Sequence, residues 1–204
     1  VQGAGADGLA LSADYKRAYV YSQFDHQLEV FEGTTNDATS QVKPIDVIKV
    51  AADLPSMTPA LIAGRKLFYD ARDTRLSSEA TQVACDSCHT EGREDGHVWG
   101  FPDGPRQTPS LAGRHRLTTA PYHWSGEFET IGAFNTHTIT ARMGGTGLSD
   151  NAASQLDEYI SSLSLPENPL RDDGAADAAQ LLRGQAAFAA AGCDTCHTGA
   201  AMTN

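Results

Sequence analysis

The chain is 204 residues long, 40% hydrophobic and 20% charged, enough for one large domain or two small ones with a real core. Acidic residues outnumber basic ones by 26 to 15, a formal net charge of −11, which disfavours nucleic acid and anionic membrane as partners because both are polyanions. No apolar run is long enough to span a bilayer, and Val1 opens neither the basic nor the apolar region of a signal peptide, so the sequence reads as a mature form, a trimmed form or a fragment.

The first strands are legible at once. Gly8-Leu9-Ala10-Leu11-Ser12, Ala18-Tyr19-Val20-Tyr21-Ser22 and Gln27-Leu28-Glu29-Val30-Phe31 are short β-prone runs. Polar turns separate them at Ala13-Asp14-Tyr15-Lys16-Arg17 and Phe24-Asp25-His26. Residues 1–50 thus form a β-rich segment that resembles one blade of a YVTN-type β-propeller. Propellers need several blades. Either blades have been lost upstream, the strands continuing a propeller that binds a substrate or partner, or they make a small sheet packed on the rest of the chain.

A helix is expected from about 58 to 71, where Thr58 can cap, Pro59 fits the first turn, and Leu61, Gly64 or Arg65, and Phe68 recur at helical spacing. Another is expected from about 149 to 163, capped by Ser149, with Leu156, Tyr159, Ile160 and Leu163 on one face. Pro166-Glu167-Asn168-Pro169 breaks it and reads as a linker. A third is expected from about 175 to 191, with Ala178, Leu181, Gln185 and Phe188 along a face and Gly192 as terminator. Residues 90–147 are rich in Gly, Pro, Thr and His and lack periodicity, so they read as long irregular loops of the kind that commonly carry function.

All four cysteines fall in two copies of one motif, Cys85-Asp86-Ser87-Cys88-His89 and Cys193-Asp194-Thr195-Cys196-His197. Each comes after an expected helix bearing Gly-x-x-x-Phe, Gly64 to Phe68 and Gly184 to Phe188, so the chain reads as two related units in tandem. Two thiols three apart on a turn can each add to a porphyrin vinyl group, and the adjacent His is then carried beneath the iron as its proximal ligand. A structural zinc site or a pair of disulfides would also use four cysteines. Neither explains a His directly after both second cysteines. The motifs therefore predict two covalently bound c-type haems, on Cys85, Cys88 and His89 and on Cys193, Cys196 and His197. Attachment of this kind takes place outside the bacterial cytoplasm, which implies a periplasmic or extracellular location.

With the motifs placed, residues 58–204 resemble the di-haem cytochrome c peroxidase and MauG superfamily. The resemblance rests on Leu67-Phe68-Tyr69-Asp70 and Arg75-Leu76-Ser77 before the first motif and Gly96-His97-Val98-Trp99 after it. It continues through Gly104-Pro105-Arg106-Gln107-Thr108-Pro109-Ser110-Leu111 and Tyr122-His123-Trp124-Ser125-Gly126. It implies a mainly α fold: tandem cytochrome c-like haem domains with long irregular loops, preceded by the short β-rich segment. The domains would be 51–166, and 167–204 as the start of a second, truncated one. It also implies a peroxidatic first haem fed with electrons by the second, Trp124 between them, a calcium ion between the domains, and a small redox protein as electron donor or acceptor. The plainer alternative for Trp124 is a buried structural aromatic.

The sequence departs from the family twice. The Gln and Glu that the family places over the first haem fall near Phe134 and at Arg142, while His123 replaces the aromatic beside the Trp. If His123 stays off the iron, His123 and Arg142 can serve as proton acceptor and charge-stabilising donor for bound hydrogen peroxide. If it binds the iron, that haem is closed and suited only to electron transfer. His97, in the Gly-His-x-Trp pattern that supplies a removable ligand in the bacterial peroxidases, is a rival sixth ligand. His115, between Arg114 and Arg116, either contacts a haem propionate or lies on the surface. The second departure is that only seven residues come after His197, so the second haem site is expected to be exposed or completed by a separate chain or a missing segment. Two functions stay open: a peroxidase-type enzyme with His123, Arg142 and Trp124 as its catalytic residues, and a non-catalytic electron carrier or subunit of a larger redox assembly.

Overall fold

The computed structural model describes residues 5–33, 43–50, 57–113, 120–167, 178–199 and 202. Four strands, β1 (Ala6–Leu11), β2 (Arg17–Ser22), β3 (Gln27–Glu32) and β4 (Asp46–Lys49), form an antiparallel meander in that order. Its register sets Leu9 opposite Val20, Val20 opposite Glu29 and Glu29 opposite Val47. Tyr19, Val30 and their neighbours point to the other face, because successive strand residues alternate.

The sheet meets the helical part through its β2–β3 turn. Phe24 is 4% exposed, lies 4.8 Å from the Tyr69 ring and is covered by the Arg65 guanidinium at 4.6 Å. Asp25 pairs with Lys66 beside it. An aromatic plug ringed by one ion pair thus ties the sheet to the first helix.

That helix, α1 (Pro59–Tyr69), starts where expected. Thr58 accepts a hydrogen bond from the Leu61 N–H at 3.1 Å and stops the first turn fraying. Its buried face, Gly64, Leu67 and Phe68, packs on α3 (Asp150–Ser162), capped by Ser149. A Cβ at Gly64 would lie 1.9 Å from the Gln155 carbonyl oxygen. Only glycine lets the two backbones touch. Leu76, Ile139, Met143, Leu156, Tyr159 and Ile160 close the core around Phe68.

The expectation of a mainly α fold is wrong: strands take 21% against 35% helix, and a four-stranded antiparallel sheet is present. Part of the correction lies in the stretch read as irregular. There β5 (Val98–Phe101) and β6 (Gly104–Gln107) form a hairpin around Pro102-Asp103, whose Asp-Gly step is ordinary turn chemistry. The same stretch also holds α2 (Ile131–His137), capped by Thr130, and a π-helical turn (Thr138–Arg142) that continues it. Both are too short to show periodicity. The last helix, α4 (Ala178–Ala190), buries none of its residues among those described. No helix among the described residues is long and apolar enough to cross a membrane.

Candidate functional site

The two Cys-x-x-Cys-His motifs adopt one local structure. Cys85–Ser87 and Cys193–Thr195 are single 3₁₀ turns. In each, the first cysteine's carbonyl accepts from the second cysteine's N–H at 3.3 Å. The histidine N–H donates to the same carbonyl, at 2.8 Å in the first motif and 2.9 Å in the second. This folds both thiols and the imidazole onto one tight loop.

Their surroundings differ. Burial pushes the Cys85 thiol up to about 12, and burial, then the Asp95 carboxylate, raises Cys88. Burial also lowers the His89 imidazole, against the opposing pull of the Pro109 carbonyl, Asp95 and the Arg93 carbonyl. Its buried Nδ1 makes no hydrogen bond of good geometry. The buried imidazole, weakly satisfied by the nearby carbonyls, shares one tight turn with the two thiols, an arrangement that fits a bound group held by these three residues. Around the second motif His197 is exposed, its Nδ1 lies 2.9 Å from the Met202 carbonyl oxygen, and Phe188 lies 6.0 Å from its ring. Met202 therefore approaches His197 through its backbone. The four cysteines are free, and among the described residues no three His, Cys, Asp or Glu side chains converge as a metal-holding group. The two pairs do not assemble a four-cysteine site.

The second constellation lies on the loop after the Ala120–Pro121 cis bond. Backbone hydrogen bonds between Tyr122 and Phe128, 2.7 and 3.3 Å, close the loop. They leave His123 in the left-handed region at φ 77°, a conformation uncommon outside glycine and concentrated at functional sites. The His123 side chain is 4% exposed, with Nδ1 2.5 Å from Glu127 Oε1 and Nε2 3.4 Å from an Arg142 guanidinium nitrogen. Trp124, Phe128, Phe134 and His137 wall the ring at 4.4 to 6.3 Å.

Arg142 comes from the π-helical turn and is held by both oxygens of Asp103 at 3.4 and 3.2 Å. It stacks over Phe101 at 4.5 Å and Trp124 at 5.5 Å, while Trp124 donates its indole N–H to the Gln107 carbonyl at 3.2 Å. Burial works to raise the Glu127 carboxyl, but the hydrogen bonds from His123, its own backbone and Ser125 prevail and hold it at about 2. The Arg142 hydrogen bond likewise depresses Asp103.

The structure therefore brings His123, Arg142 and Trp124 together, with Phe134 where the family's Gln was sought. His97 lies elsewhere: it is exposed and sits edge-on to Trp99 at 4.6 Å, with Asp95 accepting from its backbone N–H and from the Trp99 indole. His115 lies outside the described residues. Sequence reasoning missed Glu127 and Asp103. Glu127 is an acid four residues after His123, and Asp103 reads as a turn residue before Gly104; neither signal points to a site without the fold.

No protein-family model matches the chain, and no curated protein is similar to it. Among solved structures the chain is similar to hydrazine synthase from Kuenenia stuttgartiensis, determined under 20 bar of xenon. The match has a TM-score of 0.55 at 24% identity and covers 72% of this chain. The chain spans 50% of the length of that hydrazine synthase chain. At such identity the likeness establishes the fold of the matched part.

Proposed function

We propose that the chain is an exported di-haem c-type cytochrome of the cytochrome c peroxidase and MauG type that reduces hydrogen peroxide. Cys85 and Cys88 would attach the first haem with His89 as proximal ligand, and Cys193, Cys196 and His197 would hold the second. When bound, the first haem supplies an iron that takes peroxide and passes it electrons. Reduction of one peroxide to two waters takes two protons and two electrons, which a small redox protein would supply by way of the second haem.

The observation that carries this reading is the His123–Arg142 pair. Nε2 of His123 is the ring nitrogen left to accept a proton, since Nδ1 faces a carboxylate. Arg142 stands beside it as a permanent cation that can stabilise charge on an oxygen losing that proton. Phe128 and Phe134 cover the His123 ring, and Phe101 and Trp124 cover Arg142. Trp124, between Phe101 and His123, is the aromatic through which electrons would reach the first haem.

The test is optical and EPR spectroscopy of the haem-loaded chain with a haem count. Two haems per chain are expected, one of them lost in Cys85→Ala/Cys88→Ala. A high-spin ferric signal at one haem on half-reduction, consumed by peroxide, supports the enzyme. Two low-spin haems inert to peroxide in every state would overturn it. The second reading, an electron-transfer subunit of a larger redox assembly, draws on the exposed surroundings of Cys196 and His197. Such a unit suits completion by another polypeptide.

A further inference from the structure

We infer that Glu127 is the positioning residue of the His123–Arg142 pair: it holds His123 as the Nδ1–H tautomer and keeps the Nε2 lone pair turned to Arg142. This rests on the reading of His123 as a proton acceptor. The direction of every hydrogen bond along the chain of groups is set by chemistry alone. An ionised carboxylate only accepts and a guanidinium only donates. Glu127 Oε1, 2.5 Å from Nδ1, therefore requires the proton on Nδ1. Arg142, 3.4 Å from Nε2, requires a lone pair there. Asp103 accepts from both terminal nitrogens of Arg142, including the one that faces Nε2. The order Asp103, Arg142, His123, Glu127 is self-consistent with one imidazole tautomer and inconsistent with the other.

The loop is built to hold that geometry. The Tyr122–Phe128 backbone pair and the left-handed His123 bring residues 123 and 127 together across a closed turn. The Gly126 N–H donates to the His123 carbonyl at 3.3 Å inside it. Carboxylates that orient a metal-ligating histidine through its second nitrogen commonly change affinity or activity about 10- to 100-fold when removed, and a loss of at least the lower size is expected where the histidine is instead a proton acceptor. Among the described residues, the other charged or titratable groups around the ring are His137 and, over Trp124, Arg106, and neither is a carboxylate that could replace Glu127.

Neutron diffraction from crystals of the haem-loaded full chain reads the ring protons directly. Deuterium on Nδ1 of His123, with none on Nε2, is the expected result. Deuterium on Nε2 alone, or Nε2 bound to iron, would overturn the inference. Glu127→Gln keeps an acceptor for Nδ1, and Glu127→Ala removes it. Peroxide reduction should fall about tenfold or more in Glu127→Ala, with conversion of high-spin to low-spin haem, and by less in Glu127→Gln. Equal rates and spectra in the two variants would count against it, and if Glu127→Ala fails to fold, the neutron map and Glu127→Gln carry the test. A wild-type protein that ignores peroxide yet carries the proton on Nδ1 would sink the peroxidase reading and leave the role of Glu127 standing.

Discussion

The two Cys-x-x-Cys-His units are built from the same pieces and end in opposite states. Each has a helix with Gly-x-x-x-Phe and then a 3₁₀ turn with the same backbone hydrogen bonds. In the first unit, α3 lies on Gly64 closely enough that a Cβ would meet its backbone, and Phe68 is 0% exposed. In the second, a Cβ on Gly184 would meet nothing within 4 Å, and Leu181 and Leu182 are 57% and 66% exposed. The comparison separates what a motif encodes from what a partner completes. The turn forms locally, whereas burial of the helix face needs a second helix to lie across the glycine.

That contrast can be broken by experiment. The largest effect should come from the paired aromatics. Phe68→Ala is expected to cost about 3–5 kcal/mol, in line with large-to-small changes in packed cores, and Phe188→Ala only a small fraction of that. Urea unfolding of the full chain, monitored by far-UV circular dichroism, measures both; equal losses would mean that α4 is covered in solution. The glycines come next. Gly64→Ala forces α1 and α3 apart and should destabilise by about 1–3 kcal/mol. Gly184→Ala fills open space and should instead favour α4 by up to about 1 kcal/mol through helix propensity. A destabilising Gly184→Ala would reveal a helix seated there.

Smaller effects sharpen the picture of the first unit alone. Thr58 also donates to Glu158 on α3 at 3.0 Å, so Thr58→Ala should lose about 1 kcal/mol, read in the same unfolding curves. The least effect is a pH slope. The Arg75 side chain holds the Asp73 carboxyl below its ordinary range, against burial. Its folded pKa is then lower than its unfolded one, so the stabilisation is complete above the unfolded value near 4 and fades as pH falls through the folded one. Stability should decline with acid below about pH 4, less steeply in Asp73→Asn.

Legibility from sequence obeyed the same divide between local and completed structure. The Thr58 and Ser149 caps, the apolar spacing of α1 and α3, and Gly192, which adopts φ 74° after α4, were all readable because each acts within a few residues. So were the first three strands. The hairpin β5–β6, the short helix α2 and strand β4 were not, since strands of four residues and a helix of seven show too little of their own period. His123 and Arg142 were found through a family pattern that they break. Glu127 and Asp103 were invisible because their role depends on which loops meet, as His97 shows from the other side: its motif is intact, yet it sits on the surface beside Trp99.

The π-helical turn at Thr138–Arg142 has a consequence for how this protein can change over time. Such a turn carries one residue more per hydrogen-bonded loop than an α-helix. Removing any one residue there would let α2 run on as ordinary helix and rotate Arg142 by about 100° around the axis, away from Asp103 and His123. Substitutions at Thr140 or Ala141, both exposed, should be tolerated, whereas a single-codon deletion should not. At Thr140 and Ala141, chain length is under tighter constraint than residue identity.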